Sequence, residues 1–137
     1  MLCRMILRQQ HQLEKPGALS DALLPPILSD EHMARTLGVE SVCFAASMVC
    51  TTAPVSCGDV VKVGNAIGVV EGCMAVEDEL LVLLMELRLI AKEYNGAWRM
   101  CLVRNSILRV LTTNVRISHA CCWTHIGDND DEFIVLW

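Results

Sequence analysis

The stretch VEDELLVLLMELRLIAKEYNG, residues 76–96, can be read as a helix or as a strand, and the fold turns on which. The helix case rests on the acidic start at Glu77-Asp78-Glu79, basic Lys92 near the end, the closing Asn95-Gly96 pair and the helical preference of Leu and Met. The strand case rests on strict alternation of apolar and charged residues from Met85 to Leu89. It also rests on Glu77-Asp78, which can turn a hairpin pairing residues 69–76 with residues 80–87. Periodicity does not separate the two over the apolar run from Leu80 to Met85. The flanking segments favour the strand, since both read as strands and a hairpin buries the run locally, so residues 80–92 are expected as strand, with the helix as the open alternative.

Upstream, GDVVKVGNAIGVVEGC (residues 58–73) raises the question of a phosphate-binding loop. A P-loop ends in Gly-Lys-Ser/Thr, and no lysine follows a glycine here. A dinucleotide fingerprint needs two glycines separated by one residue, whereas these stand at 58, 64, 68 and 72. Turn chemistry remains. Gly58-Asp59 opens a β-branched run, Gly64-Asn65 has the composition of a tight turn, and Ile67 to Val70 is again β-branched. Two strands joined by a turn are expected.

Downstream, Met100 to Val103, Ile107 to Leu111 and Val115 to Ile117 read as short strands, with Asn105-Ser106 and Thr112 to Asn114 as turns. Asp128 to Glu132 reads as a solvated loop before Phe133 to Trp137. That apolar terminus belongs in a final strand, because burying such a side chain is worth about 1.5–3 kcal/mol. Val60 to Val63, Ile67 to Cys73, Ile107 to Leu111 and Phe133 to Leu136 are therefore expected in one antiparallel sheet.

The grammar changes near Cys57. Before it, Pro16-Gly17 and Pro25-Pro26 interrupt long elements, Ser29-Asp30-Glu31 starts a short helix closing at Gly38, and Ser41 to Cys50 is a buried helix or strand. After it there is no proline. The expected organisation is a partly helical or flexible extension over residues 1–57 and a small β domain over residues 58–137. At 137 residues one core forms without disulfides. The hydrophobic share of 53% contains no apolar run long enough to span a bilayer, so no membrane association is expected. Met1 to Leu7, interrupted by Arg4, is too short for a secretory signal, so the eight cysteines read as reduced thiols of an intracellular protein, nuclear or cytoplasmic.

The net charge of −5 argues against dense phosphate binding. Yet residues 97–127 hold no acid, while Arg99, Arg104, Arg109 and Arg116 stand there with Trp98 and Trp123. Guanidinium and indole together can stack on a base or hold a carboxylate or phosphate. Trp98, Arg99, Arg104, Arg109 and Arg116 are thus the candidate binding residues, for nucleic acid or a protein partner. Against this, isolated surface arginines usually cover strand edges or pair with acids, and spacings of five, five and seven form no stripe on one element. The alternative is a zinc protein using His119, Cys121, Cys122 and His125 of HACCWTH. Adjacent cysteines on a strand point to opposite faces, however, and no C-x-x-C knuckle occurs, so no metal or other cofactor is assigned. Among so many cysteines and histidines no nucleophile, base and orienting group stand out as a set, so an enzyme is not expected. No small-molecule substrate is indicated either.

Short strands opened by GDVVKV and closed by EFIVLW resemble small SH3-like barrels and the related BAH-like modules of chromatin and transposon-derived proteins, over residues 58–137 only. More narrowly, GDVVKVGNAIGVVEG, LLVLLMELRLI, Trp98-Arg99 and FIVLW resemble the C-terminal tail module of mobile-element-encoded proteins of protists and fungi. The resemblance implies a mainly β chain, α+β overall: a small antiparallel SH3-like β-barrel acting as a noncatalytic accessory module with nucleic-acid or chromatin associations. It assigns no catalytic residue.

Overall fold

A computed structural model describes residues 21–50, 53–113, 115–127 and 129–137. The chain is mainly β. Twelve strands and one helix are described: β1 (Ala22–Leu23), β2 (Ile27–Ser29), α1 (Glu31–Leu37), β3 (Val42–Ala45), β4 (Ser47–Val49), β5 (Val55–Ser56), β6 (Val60–Val63), β7 (Ala66–Val76), β8 (Glu79–Lys92), β9 (Trp98–Leu111), β10 (Ile117–His119), β11 (Cys122–Ile126) and β12 (Asn129–Leu136). The main sheet runs β10-β6-β7-β8-β9-β12-β11, with β3 added on β7 and β2 on β3, and every pair is antiparallel. The four segments expected to share one sheet do so.

Residues 79–92 are strand throughout. The β7–β8 hairpin pairs Val76 with Glu79 and Val69 with Met85, leaving Glu77-Asp78 as a two-residue loop. Glu77 has a left-handed φ of 55°, and two contacts anchor it: its N–H donates to the Ser41 carbonyl (2.9 Å) and its carboxylate accepts from the Glu40 N–H (3.0 Å). The apolar run becomes a strand because both of its faces are covered. Leu80, Val82 and Leu84 pack with Leu23, Met48 and Val55, while on the opposite face Leu81 and Leu83 lie against the cluster of Ala34, Val42 and Met74. A sheet buried on both sides wants continuous hydrophobicity, not alternation.

The β6–β7 hairpin turns at Gly64-Asn65, with Val63 opposite Ala66 and Gly64 at φ 61°. This is the glycine-first loop that matches strand twist. One edge of β7 serves two neighbours: residues 66–69 pair with β6 and residues 73–76 with β3. The register shift between Val70 and Gly72 separates them. Across that shift the inward set changes parity, so Val70 and Cys73 share one core.

The sheet curls strongly into a half-barrel. Its interior gathers Val60, Val69, Leu87, Met100, Phe133 and Val135. Residues 120–121 bridge the ends of the curl: the Ala120 N–H donates to the Val60 carbonyl (2.9 Å) and the Cys121 N–H to the Leu136 carbonyl (2.7 Å).

Some boundaries differ from those read in the sequence. The segments expected as two strands around an Asn105-Ser106 turn form one strand, β9, with a bulge. Pairing jumps from Met85↔Ile107 to Leu87↔Leu102, Asn105 takes φ 59°, and Ser106 Oγ donates to Glu86 at 2.6 Å. Turn-forming chemistry here relieves a register mismatch without reversing the chain. The strand expected over residues 115–117 is instead Ile117–His119. Strand β12 begins at Asn129, so pairing reaches into the expected loop and sets Glu132 opposite Cys101.

The short helix is present, capped by Asp30, whose carboxylate accepts from the Met33 N–H at 2.9 Å, and closed by Gly38 at φ 70°. The expected division at Cys57 is crossed by both pairing and packing: β3 pairs with β7, and Leu23, Cys43, Met48 and Val55 share a core with Val61, Val82 and Leu84. Residues 1–20 of the expected extension lie outside the described residues. Among the described residues, no helix is long and apolar enough to cross a membrane.

Candidate functional site

Trp98 opens β9, and strand alternation points it to the same face as Met100, at the mouth of the half-barrel. Its cross-strand partners are Lys92 on β8 and Val135 on β12. Two residues past Val135, Trp137 returns to that face and meets Trp98 edge-on, with ring centroids 5.9 Å apart and planes at 69°. On β6, Lys62 shares the face of Val60. Its ammonium lies 4.2 Å from the Trp98 ring centroid and 4.3 Å from that of Trp137. The Lys92 ammonium lies 4.8 Å from the Trp98 centroid. Two ammonium groups thus converge on one indole pair, and among the described residues neither reaches a carboxylate. The Trp137 Nε1–H is buried and meets no acceptor among those residues.

The four arginines do not join this cluster. Arg99 points to the opposite face from Trp98, opposite Ile134, and its guanidinium meets Glu132 at 3.4 Å. Arg104 rides the β9 bulge and meets Asp131 at 3.4 Å. Arg109, opposite Leu83, lines a small cavity with Met33, Phe44 and Glu71. Arg116 precedes β10, is exposed, and gives its carbonyl to the Gly64 N–H. Of the predicted binding residues only Trp98 belongs to a cationic aromatic cluster, and its cations are lysines.

Sequence reasoning missed Lys62, Lys92 and Trp137. The signal for Lys62 was its two-residue offset from Val60 in VVKV, which puts both on one strand face. Lys92 needed the β8–β9 register, and a bulge between Leu89 and Ala91 shifts that register.

HACCWTH is pulled apart by the bridge at residues 120–121. His119 Nε2 lies 3.2 Å from Asp59 Oδ2, whereas the His125 ring packs on Phe133 with centroids 4.5 Å apart. Cys121 and Cys122 are exposed. Among the described residues no three His, Cys, Asp or Glu side chains are placed to hold a metal.

A hollow of about 520 Å³ forms an apolar trough lined by Leu28, Phe44, Gly72 and Leu83 among others. Cys73 borders it, but the Cys73 side chain is fully buried in the core with Val70 and Leu84. Burial, reinforced by nearby Cys50, Cys57 and Asp59, pushes that thiol up to about 12, which leaves it protonated and a poor nucleophile at neutral pH. Comparison of the chain with family models, with curated proteins and with solved structures finds no match.

Proposed function

We propose that the chain is a noncatalytic interaction module whose half-barrel mouth holds an acidic segment of a protein partner, with Lys62 and Lys92 as its cations and Trp98 and Trp137 as its aromatic floor. The observation that supports this most is the pair of ammoniums over two indoles with no carboxylate of the described chain in reach. Each ammonium is held by a cation–π contact worth about 0.5–1 kcal/mol at a partly exposed position. An incoming carboxylate therefore has no ion pair to break and needs only to reorient the two lysines.

A protein carboxylate fits better than a phosphate backbone because Arg99 and Arg104, which could extend a basic track along a nucleic-acid strand, already face acids of their own sheet. Tryptophan at the centre of a contact patch is also the residue type that most often dominates protein interfaces. A role of this kind, recognition without chemistry, suits an SH3-like accessory module of a mobile-element-encoded protein.

The test is tryptophan fluorescence titrated with polyglutamate and, separately, with a short thymidine oligonucleotide over a range of salt. Polyglutamate should saturate the signal, and Trp98→Ala should weaken its binding by about tenfold or more. Preference for the oligonucleotide, with a log–log salt slope of about −1.4 for two phosphates on a single strand, would move the site to nucleic acid. No saturable response to either ligand would end this reading.

A further inference from the structure

The end strands of the described sheets are of two kinds. Strands β1 and β5, which border the small sheet β1-β4-β5, are two residues long. Strand β2 has three residues and follows Pro25-Pro26, and β10 has three and ends at His119, whose ring is engaged by Asp59. Short length, proline and charge are the devices by which natural proteins stop an edge from recruiting another strand. Strand β11 uses none of them. It has five residues, Cys-Trp-Thr-His-Ile, with no proline and no Lys, Arg, Asp or Glu, and β12 is its one described sheet partner. Cys122, Trp123, Thr124 and His125 are all exposed. The register shift between His125 and Ile126 falls at the end of the strand, so Cys122 to His125 pair regularly with β12.

We infer that β11 is a self-pairing edge: two copies of this chain join by antiparallel pairing of β11 with β11 of the second copy, about a two-fold axis at Thr124. The pleat restricts the choice of axis. Residues directly opposed across strands must lie on the same face, so the two-fold must pass through a residue paired with itself. Only Thr124 uses the whole strand.

That register opposes Trp123 to His125 of the second copy, Thr124 to its counterpart, and Cys122 to Ile126. Trp123 and His125 share a face and already contact one another and Phe133, with centroid separations of 5.7, 5.4 and 4.5 Å, so the pairing extends an aromatic cluster across the axis. Aromatic pairs and Thr–Thr pairs are among the favourable cross-strand neighbours, and no like charges meet. An unrelated strand would satisfy the hydrogen bonds of the edge. A second copy also matches each of its side chains.

Sedimentation equilibrium of the full chain, over about two decades of concentration around micromolar, tests this. A reversible dimer is expected. Thr124→Lys sets two ammoniums against each other at the axis and should weaken the dimer by about tenfold or more, and Thr124→Glu should do the same. Mixing the two variants should restore association as a heterodimer. Position 124 is exposed, so far-UV circular dichroism should match the wild type in both variants. The proposal is overturned by a chain that stays monomeric throughout the range, by a dimer that Thr124→Lys leaves at full strength, or by variants that do not recover on mixing.

Discussion

Cys50 and Cys73 sit in the core shared by the small sheet and the half-barrel sheet, and burial is the main influence on both thiols. It pushes each from an ordinary 9.0 to about 12, with Asp21 adding to the effect at Cys50 and Cys50, Cys57 and Asp59 adding at Cys73. A raised folded value means that the folded chain keeps protons the unfolded chain gives up. The resulting stability is fully present below pH 9 and is lost as pH climbs from about 9 towards 12. Urea unfolding followed against pH should show a midpoint that starts to fall near pH 9, and Cys73→Ala should make that fall shallower. Under native conditions at neutral pH, a thiol reagent should label exposed Cys57, Cys121 and Cys122 quickly and buried Cys43, Cys50 and Cys73 slowly. At this scale the sequence is partly legible: a free thiol is chemically a small hydrophobe, and Cys43, Cys50 and Cys73 pack as such. Which cysteines are buried depends on strand register, and that is not written in any local spacing.

Among the elements, β7 shows how one strand is tuned along its length. A Cβ built on Gly68 would lie 2.5 Å from the Met85 carbonyl oxygen and 2.9 Å from Leu84 Cβ, so β8 crosses there too closely for any side chain. At Gly72 the nearest atom is the Ala45 carbonyl oxygen at 3.5 Å, an ordinary contact. Gly68→Ala should therefore cost about 1–3 kcal/mol or more, as overpacking does, while Gly72→Ala should cost much less. The two urea midpoints, measured side by side, check this. Strand existence in this region was readable because turn residues bracket β-branched runs: Gly64-Asn65 and Glu77-Asp78 both turn hairpins. Asn105-Ser106 has equally good turn chemistry and makes a bulge instead. A dipeptide favouring positive φ states that the backbone kinks, and only the pairing on the neighbouring strand says whether the chain then reverses.

At the scale of the whole molecule, distant strands of the main sheet are drawn together by its curl. Lys62 on β6, Lys92 and Trp98 on the β8–β9 hairpin, and Trp137 just past β12 are far apart in sequence and meet because residues 120–121 bridge β6 to β12. This is why Trp98 could be singled out in the sequence and the lysines over its ring could not. The arginines nearest to it in sequence fall on the opposite face, on a bulge, in a small cavity beside Met33 and before β10, whereas the lysines that reach it come from other strands. The same non-local assembly explains why the change of grammar at Cys57 marks no break in packing: composition changes there, but β3 still takes its place on β7.

The central claim is that the Trp98–Trp137 mouth, with Lys62 and Lys92, receives acidic side chains, and the chain offers a direct probe of it. It has three tryptophans, so a ¹⁵N–¹H spectrum shows three indole signals. Trp123 packs on His125 and Phe133, one strand beyond Val135 from Trp98, and among the described residues its ring contacts are with those two rather than with the Trp98–Trp137 pair, so it serves as a nearby internal control. On titration with polyglutamate at low salt, the Trp98 and Trp137 signals should move together along one binding curve while Trp123 stays in place. Lys62→Gln with Lys92→Gln should abolish the movement and leave the free spectrum otherwise intact. Movement of Trp123 alone, or an unchanged titration in the double variant, would contradict the account.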